Sequence, residues 1–395
     1  MPPLTLRVLG AISDVPAQAW DALLGPSPVP TQRHAWLHAM EASGSASAET
    51  GWVPCHLSLW RGSTLMAAAP AYEKHHSMGE YVYDFAWANA SHQLGVPYYP
   101  KLLVGSPLAP LTAAKLLVAP GEDLPGLRQR LVEGLVQLAV DRGCSSVHVL
   151  FPPAEEADFL ESSGMARRAT LQYHWKNPGY GSWETFLARF TSKRRHQLKR
   201  ERAAAFEQGL RITTRRGAEV DPARHAALCF RLYASTVEKN GWGQLQLNRG
   251  FFEQLLAAMP ECVEVVEAAR EDGTVVAGAF NLATGDRLWG RYWGCFEEVP
   301  FLHFNVCMYH SVDECIRLGR RLFEPGAGGE HKVARGFQPS TVHSAHLLFD
   351  ERLDRAVRDF LRRERQEVEA LAADGEALSG LRPWPGSATG GAGGR

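Results

Sequence analysis

The chain has 395 residues, 45% hydrophobic and 22% charged, which is ordinary for a globular protein and longer than one core usually serves, so two domains are expected. A net charge of −1 excludes a global field for nucleic acid or anionic membrane, so any such role must rest on a local patch. No apolar run reaches the roughly eighteen residues of a membrane span. The start MPPLTLRVLGAISDVPAQAW lacks the basic and apolar regions of a signal peptide, and the seven cysteines form no CxxC pair. A cytoplasmic protein with reduced core cysteines, and neither a disulfide frame nor a zinc site, is expected.

Trp20, Leu23 and Leu24, then Trp36, Leu37 and Met40, lie at helical spacing and predict helix between Pro16 and Ser43. Cys55 to Trp60 alternates apolar and polar residues, turns at Arg61-Gly62-Ser63 and returns through Thr64 to Ala71 as a hairpin. Tyr81 to Trp87 reads as a further strand carrying Asp84 between aromatics. A carboxylate there is costly unless paired, so Asp84 is either structurally bonded or active. Gly95 to Lys101 is a rigid aromatic loop in which Tyr98, Tyr99 and Lys101 either wall a pocket or pack a connection. Leu124 to Arg142 follows as an amphipathic helix, Ser146 to Phe151 as a buried strand, Ala154 to Ser163 as a helix and Leu171 to Trp175 as a strand.

Between Arg189 and Arg216 stand ten Lys or Arg residues against Glu201 and Glu207. Their centre, TSKRRHQLKRERAAAF at 191–206, predicts a helix capped by Thr191 or Ser192. Two readings stay open for Lys193, Arg194, Arg195, Lys199 and Arg200. They contact phosphate, of a nucleic acid or a nucleotide-linked substrate, or they lie as long basic side chains over apolar neighbours.

The second half repeats the plan of the first. Val263 to Ala269 and Val275 to Leu282 form a hairpin, Arg287 to Cys295 a strand, His303 to Leu318 a helix and Arg321 to Phe323 a strand. Each half therefore has room for one mixed α/β sheet. Units of 1–175 and 176–368 are expected, followed by a disordered Gly/Ala/Ser/Pro-rich tail at 369–395. Trp242 sits in a loop after a helix, and Arg291 stands on a strand where an arginine usually meets an acidic or anionic partner. Two adjacent histidines, His75 and His76, have no third ligand at sensible spacing, so no metal is expected. There is no GxSxG, HExxH or P-loop.

The stretch FEPGAGGEHKVARGF at 323–337 ends a strand, breaks into glycines and presents Glu330, His331, Lys332 and Arg335. Glycine lets a ligand approach the backbone, and α/β sheets place ligands at strand ends. Glu330 or His331 is the expected proton acceptor, Asp84 a second candidate, and Lys332 and Arg335 the groups for phosphate or developing negative charge.

GEYVYDFAWANA, GVPYYPKLLVGSP, HVLFP, QYHWKNPGY, SKRRHQLKRER, GRYWGCFEEVPFLHF, FEPGAGGEHKVARGF and HSAH together resemble the FemAB-like family of the GNAT acyl-CoA N-acyltransferase superfamily, over about Trp20 to Glu364. The resemblance implies two tandem GNAT-like domains, each a mostly antiparallel sheet flanked by helices. It implies an N-acyltransferase passing an aminoacyl or acyl group to an amine, in peptidoglycan biosynthesis, with aminoacyl-tRNA or acyl-CoA as donor and no tightly bound cofactor. A basic helix suits a tRNA or nucleotide-linked partner. The glycine-bearing pyrophosphate loop of GNAT proteins is absent, since Phe296 to Phe304 contains no glycine. An acyl-CoA-dependent acetyltransferase and a non-catalytic recognition module are the alternatives.

Overall fold

The computed structural model describes residues 2–239, 244–378 and 381–382, with only the backbone of Glu330 and of 374–378. The first half runs β1 (Leu4–Leu9), α1 (Ala17–Asp21), α2 (His34–Ala42), β2 (Trp52–Pro54), β3 (His56–Arg61), β4 (Thr64–Ala69), β5 (Ala71–Lys74), α3 (Phe85–Leu94), β6 (Lys101–Val104), β7 (Leu117–Val118), α4 (Leu124–Asp141), β8 (Ser146–Leu150), α5 (Ala154–Ser162) and β9 (Ala166–Lys176). The second runs α6 (Trp183–Ala188), α7 (Ser192–Glu207), β10 (Arg211–Arg216), α8 (Pro222–Lys239), α9 (Arg249–Ala258), β11 (Val263–Ala269), β12 (Val275–Ala283), β13 (Arg287–Cys295), α10 (Leu302–Phe304), α11 (Ser311–Arg317), β14 (Leu322–Glu324), β15 (Gln338–Leu348) and α12 (Glu351–Leu378).

The strands form a small sheet, β1-β3-β4-β7, and a large one, β10-β11-β12-β13-β14-β9-β15-β8-β6-β5-β2. The large sheet contains two parallel pairs, β6 with β8 and β13 with β14, and each pair is bridged in sequence by helix. A parallel neighbour demands such a crossover, so the repeated pattern in the sequence appears as a repeated βαβ geometry. β15 lies between β8 and β9, so the C-terminal part of the chain completes the sheet of the first half.

The largest apolar cluster draws on both halves, including Trp20, Trp36, Phe251, Phe252, Phe280 and Trp289. Trp36 of α2 meets Phe251 of α9 edge to face, with ring centroids 5.2 Å apart. Truncating one such buried ring removes about 3–5 kcal/mol.

Three local expectations are corrected. Tyr81 to Trp87 is a turn running into α3, because Tyr81 (φ 62°) and Tyr83 (φ 55°) adopt left-handed backbone that a strand excludes. The helix between Pro16 and Ser43 is split in two by the 3-10 turn Pro30–Gln32, in a segment that also holds Pro26 and Pro28. Residues 369–378 belong to α12, while 379–380 and 383–395 lie outside the described residues.

Candidate active site at the divergence of two parallel strands

β13 and β14 pair over only three positions, Arg287 with Leu322, Leu288 with Phe323 and Trp289 with Glu324. Gly290 then packs on Pro325, where a Cβ would fall 3.2 Å from the proline backbone. Beyond this contact β13 continues beside β12 alone, while the other chain turns away through Gly326, Gly328 and Gly329, all at positive φ. Opposite β12 the register jumps from Asn281–Gly290 to Phe280–Tyr292, leaving Arg291 as the extra residue of a bulge. Such a residue has no opposite partner in the register. Its guanidinium reaches across to the Leu108 carbonyl of the first half.

Glu324, the last residue of β14, is 3% exposed. One carboxylate oxygen accepts from Trp289 Nε1 at 3.0 Å. The other has no hydrogen bond and lies 3.9 Å from His174 Nε2. Burial pushes the Glu324 pKa up to about 7, against the Trp289 bond and the charges of Arg287, Arg291 and Lys115. Burial, with Lys176, Lys332 and Arg287 nearby, pushes His174 down to about 4, so its ring is neutral. A carboxyl poised near neutral pH with a free oxygen can both take and return a proton. Sequence reading passed over Glu324. The available signal was an acid between a buried strand and a Pro-Gly break.

The loop after β14 is held from inside. Lys332 Nζ donates to the carbonyls of Gly326 at 2.7 Å and Ala327 at 3.4 Å, and burial brings its pKa down to about 8. Arg335 donates from Nη2 to Glu201 at 2.7 Å, from Nε to the Tyr309 hydroxyl at 2.9 Å and from Nη1 to the His331 carbonyl at 2.8 Å. Its guanidinium also stacks 3.4 Å above the Phe304 ring centre. Both cations are engaged with the protein's own groups. Glu330 opens the short helical segment Glu330–Arg335, and its side chain, like Trp242, lies outside the described residues.

His331 is exposed, with its ring 6.0 Å from His303 and 5.6 Å from Phe304. His303 in turn stands 5.1 Å from Trp293. Trp293, His303 and Phe304 line a cavity of about 680 Å³, together with Thr236, Lys239 and the segment Glu297 to Phe301. Partial desolvation first, then the charges of Arg335 and Lys332, lowers the His331 pKa. Behind this cavity the helix loosens into a π-turn, Asn305–His310. Such turns recur at functional sites. Asn305 Nδ2 fastens this one to the Glu201 carbonyl at 2.8 Å.

α7 bridges these parts. Thr191 caps it by accepting from the Arg194 N–H, Leu198 is buried, and Glu201 faces inward to Arg335. On the outer side Lys193, Lys199 and Arg200 are exposed, while Arg194 and Arg195 are half-buried. Among the described residues none of the five has an ion-pair partner, and Arg194 bonds Gln197 at 2.9 Å.

Asp84, Tyr98, Tyr99 and Lys101 come together in a separate place, in the first half. Lys101 is fully buried and donates to Ser77 at 3.0 Å, to Glu80 at 2.8 Å and to Asp84. Tyr98 donates to Asp84 at 2.6 Å, and the Tyr99 and Ser77 hydroxyls are 2.7 Å apart. Burial alone would raise the Asp84 pKa, but Lys101, His148 and hydrogen bonds outweigh it and hold the group at about 2. Asp84 is therefore an ionised partner of Lys101. Among the described residues no group of three or more His, Cys, Asp or Glu is arranged to hold a metal ion. No described helix is long and apolar enough to cross a membrane.

The FemAB-like family profile, described as peptidoglycan biosynthesis/recognition, matches residues 11–382. The crystal structure of FemX is similar to this one with a TM-score of 0.52 at 12% identity, over 87% of this chain and 98% of that chain. The C-terminal domain of a putative lysylphosphatidylglycerol synthetase from Agrobacterium fabrum gives 0.51 at 9% identity, over 87% and 95%. A tandem GNAT protein from the clavulanic acid biosynthesis pathway gives 0.41 at 12% identity, over 88% and 98%. No curated protein sequence matches this chain. At these identities the likeness to solved structures is one of fold, and the mixed α/β fold is shared with FemX. With the family profile spanning nearly the whole sequence, the chain belongs to the FemAB-like family of peptidoglycan biosynthesis and recognition.

Proposed function

We propose that this protein is an N-acyltransferase that moves an aminoacyl or acyl group from an activated ester or thioester to an amine, with its reaction centre where β13 and β14 part. The observation that carries this reading is Glu324, a buried carboxyl with a pKa of about 7 and one free oxygen beside the unpaired bulge of β13. The amine nitrogen attacks the donor carbonyl and the bond to the leaving oxygen or sulfur breaks. Glu324 takes the proton lost by the amine and returns it to the leaving group. In this reading the bulge N–H at Arg291 donates to the oxyanion of the tetrahedral intermediate.

The donor reading favours aminoacyl-tRNA. Phosphates are drawn to helix N-termini, yet the segment before α10 brings Glu297 and Glu298 and no glycine. α7, clasped to the same site through Glu201 and Arg335, presents unpaired cations that suit a polyanion. His331 and His303 would then flank the donor's reactive end. The family description supports a peptidoglycan precursor as the amine-bearing acceptor, and a cytoplasmic reaction is part of this proposal.

Native mass spectrometry with charged tRNA and a mixture of acyl-CoAs offered in parallel tests this reading. Binding of charged tRNA, followed by amide formation on an added amine, is the expected result. Stoichiometric CoA binding would replace the donor. Silence toward both, alongside retained precursor binding, would make the protein a recognition module.

A further inference from the structure

Gln172 and His174 stand two residues apart on β9, so their side chains share one face of the large sheet. Trp175, between them and Lys176, points the other way into an apolar cluster. The last paired positions of β9 and β14 are Trp175 with Phe323. One further step of that register sets His174 level with Glu324. Gln172, His174 and Glu324 are all buried.

The bonds around the pair allow one arrangement of protons. Gln172 Nε2 donates to the Pro110 carbonyl at 3.2 Å. A carbonyl only accepts, so the amide nitrogen faces Pro110 and the amide oxygen faces the other way. That oxygen, Oε1, lies 3.2 Å from His174 Nε2. It too only accepts, so Nε2 carries the proton. The neutral ring holds a single proton, and Nδ1 is therefore bare.

We infer that Pro110 and Gln172 fix His174 as its Nε2–H tautomer, so that the free oxygen of Glu324 faces an N–H donor and not a ring lone pair. The opposite tautomer would let Nε2 accept the hydroxyl of protonated Glu324 and occupy the oxygen that takes part in transfer. With the tautomer fixed, the N–H stays bonded to Gln172 and leaves that oxygen open, 3.9 Å away, while the carboxyl is neutral. It is drawn toward the oxygen once the carboxylate forms. The charges around the contact come from other side chains: Arg287 and Arg291 on β13 and Lys115 ahead of β7 act on Glu324, and Lys176, Lys332 and Arg287 act on His174. Among the described residues none of them bonds the free oxygen. Gln172 and His174 are thus positioning residues for Glu324. The inference rests on the acyltransferase reading only in giving Glu324 a reaction to perform.

NMR on the full chain, without donor or acceptor, tests it at both ends of the contact. Long-range 15N–1H spectra of histidine-labelled protein at neutral pH should show His174, assigned by its loss in His174→Phe, as the Nε2–H form. Gln172→Leu should release that preference and give a mixture of tautomers. Carboxyl 13C spectra, with Glu324 assigned by its loss in Glu324→Gln, read the other end. A donor facing a carboxylate favours the charged form, so His174→Phe and Gln172→Leu should each raise the Glu324 titration midpoint by about half to one pH unit. His174→Gln places an amide N–H in the same position and should hold the midpoint near its native value. Should His174→Phe fail to fold, Gln172→Leu reads the same shift. An Nδ1–H ring in the native protein, a tautomer indifferent to Gln172→Leu, or a midpoint that moves as far in His174→Gln as in the other variants would overturn the inference. No transfer is measured here, so a protein that fails the tRNA experiment would lose its reaction and keep this arrangement of protons.

Discussion

Glu201 of α7 and Arg335 of the loop after β14 form a 2.7 Å ion pair, with side chains 3% and 8% exposed, across 134 positions of sequence. It fastens the basic helix to the loop that carries His331. Breaking a buried pair at one end leaves the other charge uncompensated, at a cost of about 3–5 kcal/mol. Arg335→Met should lower the thermal midpoint by that measure, and adding Glu201→Gln should recover part of the loss. Additive losses in the double variant would show that the pair does not act as a unit.

Glu324→Gln should reduce transfer about 10²- to 10⁴-fold, the usual share of general acid–base catalysis, without unfolding the protein. In the native enzyme the rate should climb as pH rises through about 7, as the carboxyl loses its proton. A variant with native rate and an unchanged pH profile would remove Glu324 from the mechanism.

The same carboxyl predicts a stability signature. Its folded pKa, about 7, lies above the ordinary 4.5, so the folded state holds the proton more tightly. Stability from this group is complete below about pH 4.5 and falls as pH rises to about 7, by on the order of 3 kcal/mol. Urea titrations should therefore show Glu324→Gln gaining on the native protein between pH 5 and pH 8. Parallel curves would show that burial does not shift this group.

Lys199→Ala with Arg200→Ala should weaken charged-tRNA binding and flatten its salt dependence by about two phosphate contacts. Both side chains are exposed, so stability should stay within about 0.5 kcal/mol per substitution. Filter binding at several salt concentrations would read the slope, and an unchanged slope would detach α7 from the donor.

Gly290→Ala places a methyl 3.2 Å from the Pro325 backbone, where neither strand can swing a side chain aside. Overpacking of this kind costs about 1–3 kcal/mol. The larger effect should fall on turnover, because the strand separation beside Glu324 changes. Equal fractional losses of activity and folded protein would deny that separation a role in the chemistry.

The hairpins, α4 and the parallel-strand helices were legible from their apolar periods, and α7 from its cap at Thr191 or Ser192 and a run of helix-favouring residues. Tyr81 to Trp87 was not. Its alternating aromatics imitate a strand, and the ion cluster that bends it depends on Lys101, a residue the local pattern cannot pair with Asp84. The glycine loop of 326–337 was visible as a break in a strand, but the partners that occupy Lys332 and Arg335 were not, Glu201 lying 134 positions away. Glu324 escaped because burial alone makes it unusual, and burial at a strand end is set by β9, β13 and the first-half loop together.

The insertion of β15 between β8 and β9 bears on how the chain acquires its shape. As a ribosome releases the polypeptide, β8 and β9 emerge long before residues 338–348, and until then both present unpaired edges. Exposed strand edges template aggregation, and pairings so distant in sequence are slow to form. The first half cannot close its sheet during synthesis of its own residues, and a fragment ending before residue 338 should be sticky where the whole chain is not. Both halves thus mature together, only once residues 338–348 have been made.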